Sequence, residues 1–391
     1  MGLTGSYLEH PTKEGIVGLS IHPDQKYVPV VSKDQQPLMP TTPNRAKRWV
    51  KSKKATYFYK LGLVCVRLDQ EPSARHLQPI AVGVDTGGTY EAITLKSKSA
   101  TYLNIQAGAV TWVKKAVEER RNLRRSRRNR KTPCRTPELK TQKKEGWLAP
   151  STRARWNSKL RIIDVLRKVI PLSGYNVEDI AAVTKEGQRR WNLGFSPLEV
   201  GKKYFYGELA KKGKLFEPTP GWRTKEERDK LGLVKGKSNE YAFKAHCQDS
   251  WVLANMVVGG HTKPDNKKIF YLAPLQFQRR NLHRARAKRG DIKRQKKLLT
   301  QDVKLVKPSK DGRPRYGGMD SLGLKRGSLV KHPKYGVAYV GGFSADKQRI
   351  SLNSLEINPE LPNNRLAQNV KTSDCNFLCY NSWRWQFSSP G

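Results

Sequence analysis

His246 and Asp249 stand three residues apart in Lys244-Ala245-His246-Cys247-Gln248-Asp249, directly before the apolar run Trp251, Val252, Leu253 and Ala254. On a helix this spacing puts both polar side chains on one face of the first turn, while the apolar run has to pack. Two further acids stand at the ends of segments that read as strands: Asp85 after Ile80–Val84, and Glu178 in Tyr175-Asn176-Val177-Glu178-Asp179-Ile180. Three carboxylates from separate segments can converge on two hard divalent ions, which take oxygen ligands and clamp the attacking and leaving oxygens of a phosphodiester. A histidine beside them can take the proton of the attacking water. Each residue alone has an ordinary reading: a Glu after a strand is usually a surface group, and His246 suits a polar helix start. Their order and setting together carry the expectation. Asp179 and Glu186 lie close to Glu178, and a slip of one residue in a strand turns a side chain to the opposite face.

The elements that must position these groups follow from pattern. Residues 26–60 read as two short strands around a proline turn, then a basic stretch with helical potential. From Gln78 a buried strand, an Asp, a Gly turn and a returning strand make a hairpin with Asp85 at its edge. Residues 108–131 read as a helix that starts amphipathically and ends in Arg120, Arg121, Arg124, Arg125, Arg127, Arg128, Arg130 and Lys131. At 3.6 residues per turn these cations cover every face, and only Glu118 and Glu119 offset them, which predicts a helix held between nucleic-acid strands. An amphipathic helix over Leu160–Val169 leads to a strand ending near Glu178, and a Gly- and Lys-rich connection then runs from Lys185 to Lys244. A second basic cluster carries Arg279, Arg280, Arg284 and Arg286, and from Leu322 short strands alternate with Gly and Lys turns, suggesting a small open barrel.

Composition favours the same partner. The 391 residues include 76 Lys and Arg against 33 Asp and Glu, a formal net charge of +43 spread along the chain. Such a charge repels itself unless a polyanion neutralises it. No apolar run approaches the roughly 18 to 20 residues that span a bilayer, so nucleic acid is the expected partner and a membrane is not. Five cysteines without a Cys-x-x-Cys pair fit a reducing cytoplasm, with no zinc expected. The N-terminus does not read as a secretory signal, and its match to a myristoylation pattern reads as chance.

The segments Val82-Gly83-Val84-Asp85-Thr86-Gly87-Gly88, Tyr175–Ile180 and Ala245–Asn255 resemble the three parts of a RuvC nuclease, a split RNase H-like domain. The Arg-rich helix between the first two resembles the bridge helix of RNA-guided effectors, and Pro37-Leu38-Met39-Pro40 matches the motif that names the leading module of the IscB group. Residues 77–245 contain no histidine, so the HNH nuclease that IscB carries there does not fit, and the chain more closely resembles IsrB, whose only nuclease is RuvC.

The resemblance implies an α/β fold with an RNase H-like core in three segments, and it divides the chain as follows. A PLMP-containing module occupies 1–77, RuvC segment I 78–107, the bridge helix 108–136, and segment II with its connection 137–240. Segment III occupies 241–276, a basic connection 277–320, and a β-rich module reading a target-adjacent motif 321–391, with Lys331, Lys334 and Gln348 as candidate readers. It places metal ligands on Asp85, Glu178 and Asp249, the RuvC histidine on His246, and two Mg²⁺ ions between them, with Mn²⁺ as a possible substitute. It implies an RNA-guided nickase of the displaced DNA strand, with a long structured guide RNA (ωRNA) and double-stranded target DNA as partners. The protein would be monomeric in the ribonucleoprotein, in a prokaryotic cytoplasm and at the nucleoid when on DNA. The rival readings are a nuclease-inactive RNA-guided binder, a ribosomal-type RNA-binding protein, and an actin-like-fold ATPase or sugar kinase, whose first phosphate loop Gly83–Tyr90 resembles. The kinase reading lacks a convincing second phosphate loop, and Lys310–Gly318 is the one later candidate.

Overall fold

The computed structural model describes residues 21–72, 74–129, 147–180, 197–237, 242–275, 320–321, 324–344, 349–355, 365–381 and 383–388. Arg130, Arg279, Arg280, Arg284, Arg286, Gln348 and the alternative acid Glu186 lie outside the described residues, as do the side chains of Arg127 and Arg128. The architecture is mixed α/β and divides into two compact units, Met1–Pro274 with Trp385–Gly391, and Leu275–Arg384.

The first unit opens with β1 (Val28–Val31), β2 (Pro37–Thr41), α1 (Pro43–Lys51), β3 (Ala55–Lys60) and β4 (Leu63–Leu68), in a sheet of order β2-β1-β4-β3. Pro37 and Pro40 have no N–H for a ladder, and β2 is an edge strand, where that costs least. Val28, Val30, Val64 and Val66 close a small core under α1 around Ala46.

The large sheet is built from β5 (Ile80–Asp85), β6 (Tyr90–Lys96) and β7 (Thr101–Gly108), an antiparallel meander. After the basic helix α2 (Trp112–Asn129) and α3 (Pro150–Leu166), β8 (Leu172–Asp179) returns to pair with β5 in parallel. The connection after it holds α4 (Pro197–Ala210), the short strands β9 (Lys214–Leu215) and β10 (Thr219–Pro220), and α5 (Gly221–Lys230). A wide π turn, Phe243–Cys247, then leads into α6 (Gln248–Val258), followed by β11 (Ile269–Pro274).

In the second unit lie β12 (Asp320–Ser321), β13 (Leu324–Lys325), β14 (Leu329–His332), β15 (Gly336–Ser344), β16 (Arg349–Asn353), β17 (Arg365–Val370) and β18 (Asn376–Cys379). Its main sheet has the order β17-β16-β15-β14-β18, all pairs antiparallel, over a core of Val330, Val340, Ile350 and Leu352. The final strand β19 (Trp383–Ser388) joins the large sheet next to β11, completing the order β10-β8-β5-β6-β7-β11-β19 with β9 beside β8.

Every residue of β5 is buried, as expected of a strand covered on both faces. Helix α6 packs on β5, β6 and β8. Their closest approach is at Gly83, where an added Cβ would overlap the Ser250 carbonyl oxygen and press on the Ala254 nitrogen at 2.7 Å. Backbone-to-backbone packing of this kind fixes how far α6 stands from the strand that ends in Asp85. Gly83→Ala is therefore expected to destabilise the protein by about 1–3 kcal/mol, the usual cost of overpacking, and to impair the site as α6 shifts outward. Thermal unfolding with an unchanged midpoint would overturn this.

Helices α4 and α5 fall in the stretch read as a connection, and α3 starts earlier than its pattern suggests. Helix α3 begins ten residues before the predicted Leu160, because its first turns are polar and cationic and show no apolar stripe. Helix α4 contains Gly201 and Gly207, poor helix formers. At Gly201 any side chain would strike the buried Trp156 indole of α3, so the glycine permits the α3–α4 packing. Among the described residues no helix is long and apolar enough to cross a membrane.

Candidate active site

The register Val84↔Val177 between parallel strands sets Asp85 and Glu178 side by side where β5 and β8 end. Glu178 hydrogen-bonds to Asp85. The π turn before α6 swings His246 toward the same edge, with Nδ1 3.2 Å from Asp85 Oδ2 and the ring tilted against Tyr90 at 5.7 Å between centroids. One turn on, Asp249 is 1% exposed and close enough to act electrostatically on Glu178. Sequence positions 85, 178, 246 and 249 thus meet at one end of the sheet.

Crowding of acids has a measurable consequence. Burial first, then the charge and hydrogen bond of Asp85 and the charge of Asp249, push the Glu178 carboxyl up to about 8, with Lys235 opposing. Glu178 therefore holds its proton more readily than an ordinary carboxylate. Asp179, the alternative one residue on, faces elsewhere: Lys202 Nζ is 2.9 Å away and the Tyr206 hydroxyl donates at 2.8 Å. Against the effect of burial, those hydrogen bonds hold its carboxyl below the ordinary range. Burial raises the Cys247 thiol well above its usual value, so it is inert beside the site.

Two cations at the site were not foreseen from sequence. Arg228 on α5 is 8% exposed and donates from Nη1 to Asp249 Oδ1 at 2.7 Å. Lys235, on the segment after α5, donates from Nζ to Asp249 Oδ2 at 2.6 Å. Helix α5 itself starts at the site, for a Cβ on Gly221 would stand 3.0 Å from Glu178 Oε1. The hint was Thr224-Lys225-Glu226-Glu227-Arg228-Asp229-Lys230, a run with strong helix formers and charges at four-residue spacing, which a loop has no need of.

An all-oxygen donor set of Asp85, Glu178 and Asp249 suits a hard divalent ion. Among the described residues no three His, Cys, Asp or Glu side chains are spaced to hold an ion as they stand. Donor chemistry fits such an ion, while both oxygens of Asp249 already accept from a cation, Arg228 on one and Lys235 on the other.

The basic helix α2 begins beyond β7, and its residues 118–126 are exposed, including Arg120, Arg121, Arg124, Arg125 and the apolar Leu123. Arg124 Nε donates to the Arg120 carbonyl at 3.3 Å, a bond within the helix itself. Of the candidate motif readers in the second unit, Lys331 is half-buried on β14. Lys334 lies in the β14–β15 turn with Nζ 5.6 Å from the Tyr335 ring centroid.

A family model described as "RRXRR protein" matches residues 28–190. The matched stretch includes Arg124-Arg125-Ser126-Arg127-Arg128, which has the arginine pattern of that description. No curated protein matches the chain. Among solved structures, the chain is similar to one in a cryo-EM structure of a CRISPR-Cas12f ternary complex, with TM-score 0.30 and 11% identity over 57% of this chain. The chain spans about half of that protein's length, 50% of it being covered.

Proposed function

We propose that the chain is an RNA-guided DNA endonuclease of the RuvC type that nicks the displaced strand, as its resemblance to IsrB implies. The observation that carries the proposal is the meeting of Asp85, Glu178 and Asp249 with His246 at the end of β5, β8 and α6. Three antiparallel strands followed by a helical crossover to a parallel fourth strand support an RNase H-like core. The family match over 28–190 encloses the N-terminal sheet, Asp85, the basic helix and Glu178, which supports reading them as parts of one device.

Asp85, Glu178 and Asp249 would hold two Mg²⁺ ions, with Mn²⁺ able to replace them. When bound, such ions polarise the phosphodiester and neutralise the charge on attacking and leaving oxygens. Asp85 and Asp249, buried at the sheet edge, set where that charge is concentrated. Glu178 would hold the ions as a carboxylate, beside Asp85. In the tautomer that donates from Nδ1 to Asp85, His246 has Nε2 as its basic atom, the one to take a proton from the attacking water. Exposed arginines of α2 would hold the guide RNA backbone. The Lys331 and Lys334 region of the second unit would read the duplex motif. A long structured RNA and target DNA are the proposed partners, the protein being monomeric within the complex and cytoplasmic.

The test is cleavage of a supercoiled plasmid by the purified ribonucleoprotein in Mg²⁺. Open-circular product cut only on the displaced strand is expected. Linear product in quantity would contradict a single nuclease, and binding without any nick would favour the nuclease-inactive binder.

A further inference from the structure

Lys235 is held in place from both sides. Its neighbours fix the backbone on both sides: Leu233 packs into the core under α6 and bonds through its N–H to the Arg228 carbonyl at 3.1 Å, and Gly236 N–H donates to the Lys244 carbonyl at 2.8 Å. Between these two tethers the Lys235 side chain reaches inward to Asp249 Oδ2 at 2.6 Å while remaining 43% exposed. The carboxylate it holds belongs to the cluster in which Asp85 meets His246 and Glu178, so this one ammonium lies at the edge of three acids.

Arg228 holds the other oxygen of Asp249 but differs in mobility. Its side chain is 9% exposed and belongs to a helix packed against α6, so its guanidinium has little solvent beside it to move into. The lysine needs only rotation about its own side-chain bonds, with solvent already at its flank. We propose that Lys235 is a displaceable counter-ion of the carboxylate cluster: it occupies Oδ2 of Asp249 in the metal-free protein and swings out when divalent cations bind, while Arg228 stays and orients Asp249. This rests on the metal-site reading above, and it adds a competitor that sets how tightly the site takes metal. Removing the competitor acts twice in the same direction. It frees Asp249 Oδ2, and it leaves Arg228 alone to offset the mutual repulsion of the acids, which favours any incoming cation.

Mn²⁺ titration of the full chain without RNA, followed by the electron paramagnetic resonance signal of free Mn²⁺, tests this. Wild type, Lys235→Gln, Lys235→Arg and Asp249→Asn are compared at one pH and salt concentration. Lys235→Gln is expected to bind Mn²⁺ about tenfold more tightly, and Lys235→Arg to stay within about threefold of wild type, because the charge is retained. Asp249→Asn should remove the site. Equal or weaker binding by Lys235→Gln, with Asp249→Asn still abolishing it, would overturn the counter-ion while leaving the metal site standing. Binding that Asp249→Asn does not touch would overturn the metal-site reading and the counter-ion with it. A lysine that merely braces its segment would lower the melting temperature of Lys235→Gln without tightening Mn²⁺.

Discussion

Asp85→Ala abolishes nicking of a supercoiled plasmid, by about 10³-fold or more, and leaves the affinity for guide RNA and target DNA within about twofold. The expectation follows from where Asp85 sits. It is 7% exposed at the end of a fully buried strand, touches His246 and Glu178, and presents nothing to a phosphate backbone. Several kcal/mol of transition-state stabilisation is what bound ions supply, and each 1.4 kcal/mol is about a factor of ten in rate. Loss of the carboxylate also relieves the repulsion that raises the Glu178 pKa, so the variant should fold at least as well in the absence of metal. Glu178→Ala should match it. Asp179→Ala should nick normally, because that carboxylate is engaged by Lys202 and Tyr206. The readouts are the yield of open-circular plasmid and filter binding of labelled RNA; unchanged nicking by Asp85→Ala would end the RuvC reading.

The contrast between Asp85 and Lys235 shows what the sequence made legible. Asp85 follows five apolar residues and precedes a Gly pair, so its place at a strand end could be read locally. Glu178 was legible only to within a residue, and the parallel register Val84↔Val177, a non-local pairing, is what turns it toward Asp85. His246 and Asp249 were legible as a helical pair, although the turn that carries His246 is wider than an α-helix, which no local pattern announces. Arg228 and Lys235 were invisible because a cation's partner is chosen by tertiary packing. In a chain with 76 of them, two lysines or arginines near an acid do not stand out. The charge spacing of Thr224–Lys230 hints at helix α5, but only the pairing of β10 with β8 brings that helix to Glu178.

The second large effect belongs to helix α2. Arg121, Arg124 and Arg125 have exposed side chains on a helix that leaves even Leu123 half in solvent. A helix charged on all faces gains little from packing on its own protein, and it touches α3 among its neighbouring helices. Its arginines are therefore expected to direct their charge at RNA phosphates. Replacing the three by alanine should weaken guide-RNA binding for every guide sequence alike, and flatten the dependence of log K on log salt by roughly 0.7–0.9 for each phosphate left without its arginine. If all three arginines pair with phosphates, the slope changes by about 2 to 3 and affinity at low salt falls on the order of a hundredfold. Asp85→Ala should leave that slope untouched, which separates loss of chemistry from loss of binding. Substitutions at base-reading positions of the second unit should instead cost about 1–3 kcal/mol at one position of the duplex motif and relax specificity there. Arginine variants that altered motif preference while leaving the salt slope intact would show that α2 reads DNA bases and does not hold the RNA backbone.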